Sequence, residues 1–297
     1  MNALIRAPWG DMAKNSIKEL LGVPEIKQYE KYLGLLVVVG INKRASLNYI
    51  KDRFWSKFQG WKKKLLSQAG KEVLLKAVVQ VILTFAMRCF KLPVGLCRDI
   101  EVLIRKFWWR QRGERRKIHW QNWETLCKSK KEGGLGFKEL VKFNDAMLAK
   151  QVWRLIHDKN SLFYRVFKLK YFPNGNIFDA KQSSGSFVWK SILRARKVIS
   201  MGAKWRIEDG LSISVFSDNW IPGALGRRVI SSALAVDANM KVVDLIDTGM
   251  GCWKNKKIDE CLVPFDAQRI KAIPLCVTPQ PDLLYWALER NGIYSVK

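Results

Sequence analysis

Histidine is almost missing from this sequence: His119 and His157 are the only two in 297 residues. Sites built from several imidazoles are therefore excluded. The six cysteines, Cys89, Cys97, Cys127, Cys252, Cys261 and Cys276, contain no C-x-x-C pair and no zinc-ligand spacing. They read as reduced, mostly buried thiols of an intracellular protein. Paired carboxylates are lacking too. A polymerase holds two metal ions with clustered acids, and no adjacent Asp-Asp occurs here. Asp209 and Asp218 flank one turn-rich segment, and turn formation accounts for Asp209. No Walker lysine follows the glycines of "EGGLGF", and no nucleophile elbow surrounds a serine. No catalytic residue and no metal ligand is assigned. The opening "MNALIRAPWGDMAKNS" is not a secretory signal. The most apolar stretch, "AVVQVILTFAM" at 77–87, is far shorter than the ~20 residues of a membrane span.

Positive charge is what the chain has in excess. Lysine and arginine number 53 against 26 acids, a net charge of +27. Apolar residues make up 48% of the chain, with 13 tryptophans, so it folds around a core rather than forming a charged tail. Like charges repel in a compact state, so a surplus of this size points to a polyanionic partner. Its distribution is uneven. Residues 1–199 hold 41 lysines and arginines against 15 acids, while residues 200–297 hold 12 against 11. The partner surface is assigned to the first two thirds, and the remainder reads as a separate, nearly neutral module.

Periodicity predicts a mainly α protein. Leu47, Ile50, Phe54, Phe58, Trp61 and Leu65 recur at helical steps. The segment 68–90 is apolar almost all round and is expected to lie centrally. A third helix after Pro93 carries Ile100, Leu103, Ile104, Phe107 and Trp108, so a small bundle is expected. A short helix in "WQNWETLC" precedes a tight turn at Gly133, Gly134 and Gly136, then a helix over about 139–157. Further helices are expected at 161–171 and 187–200. At 204 the period changes: "WRIEDGLSISVFSDNW" and "LLYWALERNGIYSV" each read as a β-hairpin. Helices near 255–261 and 266–273 complete a small α+β module.

The densest mixture of aromatic and basic residues is "KFWWRQRGERRKIHW" at 106–120. Trp108 is expected to face inward beside Ile104, whereas Trp109 either covers the core or stacks on a base. His119 reads as a structural or phosphate-contacting residue rather than a general acid–base. Three basic clusters, "WKKKLL", "RQRGERRK" and "KSKKEGG", sit around helix ends and loops. Phosphate contacts are assigned to Lys62, Lys63, Lys64, Arg112, Arg115, Arg116 and Lys117, with Lys130 and Lys131 assisting. Trp109 and His119 are candidates for touching a base or sugar.

Several blocks in one order carry a resemblance: "KYLGLLVVVG", "WSKFQGWKKKLLSQAGKEVLLKAVVQ", "KIHWQNWETLCKSKKEGGLGFKEL", "FNDAMLAKQVWRL", "KYFPNG", "SFVWKSIL" and "WRIEDGLSISVFSDNWIPG". Over residues 14–223 the chain resembles the downstream part of plant LINE-type (non-LTR) retrotransposon reverse transcriptases. "WALERNGIYSVK" is similar to the opening of that family's zinc-binding module. The resemblance implies a palm-exit remnant at 1–40, a basic helical thumb and connection region at 41–201, and an α+β module at 202–297. It implies binding of RNA, DNA or a hybrid duplex and residence in the nucleus; the shortness of the most apolar stretch implies no membrane partner. A palm-containing polypeptide would be a partner. The two-aspartate palm motif of this RNA-directed DNA polymerase family would lie upstream of Met1, so Mg²⁺ would belong to that palm and no cofactor to this chain. Leu35-Leu36 stand where the family usually shows Leu-Pro. A truncated retroelement product without activity of its own is expected; the alternatives are an active polymerase within a longer protein and a domesticated nucleic-acid-binding protein.

Overall fold

The computed structural model describes residues 31–32, 35–36, 42–62, 66–109, 120–180, 185–222, 228–231, 239–276 and 280–296. Two compact units divide the chain, Met1–Tyr49 and Ile50–Lys297. In the first, strands β1 (Lys31–Tyr32) and β2 (Leu35–Leu36) pair antiparallel, Lys31 opposite Leu36. Helix α1 (Lys43–Lys62) begins in this unit, where Asn42 Oδ1 accepts the Ala45 N–H at 3.1 Å. That contact satisfies one of the donors every helix N-terminus leaves open.

The second unit is mainly helical, with a small α+β part, as the periodicity predicts. Ile50, Phe54 and Phe58 form the buried stripe of α1. Phe58 stacks on Phe107 with ring centroids 4.8 Å apart, and Phe54 meets Phe58 edge-on at 4.5 Å. Pairs of this kind add about 0.5–1.5 kcal/mol each beyond the area they bury. Helix α2 (Gln68–Leu74) continues through a π-helical segment, Leu75–Val79, into α3 (Gln80–Cys89). This run is not buried all round. Leu75, Leu83, Ala86 and Met87 face the core, but Val73, Val81 and Phe85 are exposed. An apolar composition gives no face, and the helix packs through only one.

Helix α4 (Val94–Trp109) buries Leu96, Ile100, Ile104, Phe107 and Trp108, so Trp108 does turn inward. A short helix α5 (Trp123–Cys127) follows, capped by Asn122, which accepts the Thr125 N–H at 2.7 Å. Helix α6 (Leu140–His157) packs against α3, α4 and α8 (Phe187–Gly202); α7 (Leu162–Tyr171) lies between α6 and α8 in sequence. Asn144, wholly buried in α6, donates to the carbonyls of Met87 and Phe90 at 3.0 and 2.9 Å and accepts the Leu92 N–H at 2.8 Å. One amide thereby satisfies the backbone where α3 ends.

The expected hairpins do not form. Strand β3 (Ala203–Arg206) pairs antiparallel with β6 (Leu283–Trp286), Ala203 opposite Trp286. Residues 213–215 turn instead to 240–242: Val215 N–H donates to Met240 at 3.0 Å and Val242 N–H to Ile213 at 3.0 Å. The reason is burial. An isolated two-stranded hairpin is marginal in water, whereas pairing β3 with β6 sets Leu284 and Trp286 into the core of α6 and α8. At the second expected hairpin only the turn is present, closed by Trp286 N–H to Gly292 at 2.7 Å, and Tyr294 enters the same core.

A second core gathers Ile207, Ile213, Val215, Trp220, Val242, Leu245 and Trp253. Strands β4 (Ile246–Asp247) and β5 (Cys252–Trp253) and helices α9 (Asn255–Cys261) and α10 (Pro264–Lys271) enclose it. Both helices fall where the sequence placed them. Among the described residues no helix is long and apolar enough to cross a membrane.

Candidate nucleic-acid interface

Of the residues assigned to phosphate or base contact, Trp109, Lys130 and Lys131 are placed with their side chains. Lys62 closes α1, and nothing is described of its side chain. Lys63, Lys64, Arg112, Arg115, Arg116, Lys117 and His119 lie outside the described residues.

Lys130 and Lys131 occupy a 3₁₀ turn, Lys130–Glu132, that ends in Gly133 with φ 78°. Ser129 and Glu132 close the turn reciprocally, the Glu132 carboxylate accepting the Ser129 N–H at 3.2 Å. Gly134 is required for a different reason: a Cβ there would stand 2.1 Å from the Lys128 carbonyl oxygen. A side chain would open the turn that presents the two lysines. Phe137, just beyond, is the anchor. It lies edge-on to Trp108 at 5.5 Å and stacks on Trp123 at 5.8 Å. The end of α4 and the basic turn are thus joined through one aromatic cluster, beside which Trp109 is half-buried.

Glu72 alters the electrostatics of this turn. Its carboxylate lies 2.7 Å from Lys76 Nζ and 2.9 Å from Lys130 Nζ. Hydrogen bonds from Lys76 and then Lys130 hold the Glu72 carboxyl below its ordinary range, against a smaller upward push from burial. Lys130 is therefore tethered to α2 and partly neutralised, yet its side chain remains 68% exposed. Lys131 is exposed and is the freer of the two to meet a phosphate.

Other polar groups are structural. His157 stacks on Trp153 at 4.1 Å, with Nδ1 3.1 Å from the Trp153 carbonyl and Nε2 2.7 Å from that of Leu284. It pins α6 to β6. Asp209 and Asp218 both organise turns, accepting the Leu211 and Ser214 N–H groups at 3.0 and 2.8 Å. Glu101, buried in α4, accepts the Leu140 N–H at 2.8 Å, and burial raises its carboxyl above the ordinary value. All six cysteines carry thiols rather than disulfides, but only Cys97 is fully buried, and Cys252 and Cys276 are exposed. Burial pushes the Cys97 and Cys127 thiols up to about 12, far from the thiolate a reactive cysteine needs. Among the described residues no three His, Cys, Asp or Glu side chains converge to hold a metal ion.

The contact residues named from the sequence end at Lys131, but the basic excess of the first two thirds continues beyond it. Residues 141–206 carry 14 lysines and arginines against three acids, Asp145, Asp158 and Asp179. Part of this charge is structural: Arg196 donates to the carbonyls of Ile177, Phe178 and Ala180, and Lys91 pairs with Asp145. Lys190, Arg194 and Lys197 are exposed along α8. The four- and three-residue steps of "KSILRARK" were the available signal.

The fold and this surface define a basic, mainly helical protein with a small α+β part. No protein-family model matches the chain. It is 33% identical over 264 residues to a protein of Arabidopsis thaliana named "Putative ribonuclease H protein At1g65750"; the alignment covers 86% of this chain and 42% of that relative, so the chain spans less than half the relative's length. It is 40% identical over 139 residues to "Uncharacterized mitochondrial protein AtMg00310" of the same plant, covering 46% of this chain and 90% of that one. The chain belongs to the family of this mitochondrial protein.

Proposed function

We propose that this chain is the duplex-holding part of a LINE-type reverse transcriptase. In this reading it grips template and primer through their phosphates while a palm, supplied from outside residues 1–297, performs RNA-directed DNA synthesis with Mg²⁺ and works in the nucleus. The observation that carries the reading is the charge asymmetry, 41 cations against 15 acids before residue 200 and near balance after it. Electroneutrality of a fold does not require such a division, but neutralising a sugar-phosphate polymer does. The ordered sequence blocks and the ribonuclease H name of one relative support it.

Fluorescence anisotropy with a labelled RNA–DNA hybrid and with duplex DNA tests it. Affinity is expected to fall linearly on a plot of log K against log salt. Replacing Arg112, Arg115, Arg116 and Lys117 by glutamine is expected to flatten the slope on duplex DNA by about 0.9 for each phosphate that no longer meets a cation. An unchanged slope removes those four residues from the interface, and no binding at low salt removes the reading. Primer extension with Mg²⁺ is expected to yield no product from this chain alone; robust incorporation would replace the holding role by a catalytic one.

A further inference from the structure

We infer that helix α8 is a second phosphate-binding surface, along which one strand of nucleic acid runs, contacted by Lys190, Arg194 and Lys197. The inference rests on the nucleic-acid reading above but concerns residues far along the chain from the basic clusters named there.

The argument begins with what the helix gives up. Lys190, Arg194 and Lys197 lie at i, i+4 and i+7, so they project from one face, and all three are exposed. Like charges at these spacings destabilise a helix. No acid occurs anywhere in Phe187–Gly202 to offset them. The helix dipole does not explain them either. Cations favour a C-terminal end, yet the last turn of α8 has no basic residue and Lys190 sits near the start. No ion pair engages the three among the described residues. Elsewhere in the second unit many cations do meet an acid, as Lys51 meets Asp99, Lys76 and Lys130 meet Glu72, Lys91 meets Asp145 and Lys271 meets Asp259.

Packing does not need the charges. The opposite side of α8 supplies the buried residues, Trp189, Ile192, Leu193, Ala195 and Ile199. Arg196, the one guanidinium of this helix turned to structural use, is separate from the row and is satisfied by three carbonyls.

The spacing fits a polymer of phosphates. At a rise of ~1.5 Å per residue, Lys190 and Lys197 stand about 10.5 Å apart along the axis. Three nucleotide steps of one strand advance by roughly 10.2 Å at ~3.4 Å each. A strand lying along α8 therefore presents about four phosphates over the length of the row, enough for each of the three cations to meet one. Backbone contacts of this kind carry no base preference.

The test compares three variants of the full chain with wild type, by anisotropy on duplex DNA across a salt series. Lys190→Gln/Arg194→Gln/Lys197→Gln is expected to weaken binding at low salt and to flatten the log–log slope by roughly 2.7, about 0.9 for each of three phosphates. Lys241→Gln/Lys254→Gln/Lys256→Gln removes the same charge from the near-neutral module and is expected to leave the slope within about 0.9 of wild type. Lys190→Arg/Arg194→Lys/Lys197→Arg preserves the charged row and is expected to retain the wild-type slope, which separates charge from helix integrity. If wild type binds and the α8 glutamine variant keeps its slope, the α8 surface is rejected and the general reading stands. Equal flattening by the two glutamine variants also rejects it, because net charge alone would then account for the effect. If wild type fails to bind at low salt, both fall.

Discussion

Asn144 shows how much can rest on one side chain. It sits in the second turn of α6, with none of its surface in water, and its amide serves three backbone groups at the end of α3 and the segment after it. A buried donor or acceptor left without a partner costs about 1–3 kcal/mol. Asn144→Leu, which keeps the branched shape with more bulk, removes the partner of two carbonyls and one N–H together. Some of that cost is recovered as the backbone shifts toward water, so a destabilisation of about 3–5 kcal/mol is expected. Urea unfolding followed by tryptophan fluorescence would measure it. A change below about 1 kcal/mol would mean that the three bonds contribute little to holding α3 on α6. In the sequence, "FNDAML" shows only a polar residue on a helix, a position equally suited to solvent. Trp108 was legible because helical spacing placed it beside Ile104; Asn144 was not, because its partners lie more than 50 residues away.

At the scale of elements, the helices were legible and the strand pairing was not. A helix satisfies its own backbone, so α1, α4 and α6 follow from a local stripe. A strand needs a partner, and sequence offers the nearest one. Here "DGLS" does make a turn, but Asp282 holds it from a distance: one carboxylate oxygen accepts the Glu208 and Gly210 N–H groups at 2.9 Å each, and the other accepts Ser212 at 2.9 Å. Asp282 immediately precedes β6, so this carboxylate fixes the loop after β3 to the strand that pairs with β3. Bonds to a charged acceptor contribute about 1.5–3 kcal/mol. Asp282→Ala is expected to destabilise the chain within roughly that range, with faster amide exchange at Gly210 and Ser212, and Asp282→Asn to cost less because it keeps an acceptor oxygen. Equal destabilisation by the two variants would show that the negative charge, not the oxygen geometry, holds the loop. For the candidate interface, the clusters were legible as composition, whereas the pairing of Lys130 with Glu72 and the row on α8 depend on which faces the helices leave open.

For the molecule as a whole, charge sets two opposed responses to salt. With a net charge of +27, the free protein repels itself. Raising KCl from about 0.01 to about 0.3 M shortens the screening length from ~30 Å to well under 10 Å. None of the ion pairs described here is fully buried; pairs that stay in contact with water contribute about 0–1 kcal/mol each, and salt weakens them only slightly. Relief of repulsion therefore wins, and the thermal midpoint of the free protein is expected to rise by a few degrees. A bound duplex stabilises by mass action, about 2.7 kcal/mol when its concentration is 100 times Kd. That contribution falls with added salt as affinity falls. The midpoints with and without duplex are thus expected to converge from opposite directions as KCl increases, measured by scanning calorimetry at fixed protein and duplex concentrations. A free protein whose midpoint ignores salt would show that its cations are already compensated within the fold. The surplus charge would then no longer argue for a polyanion.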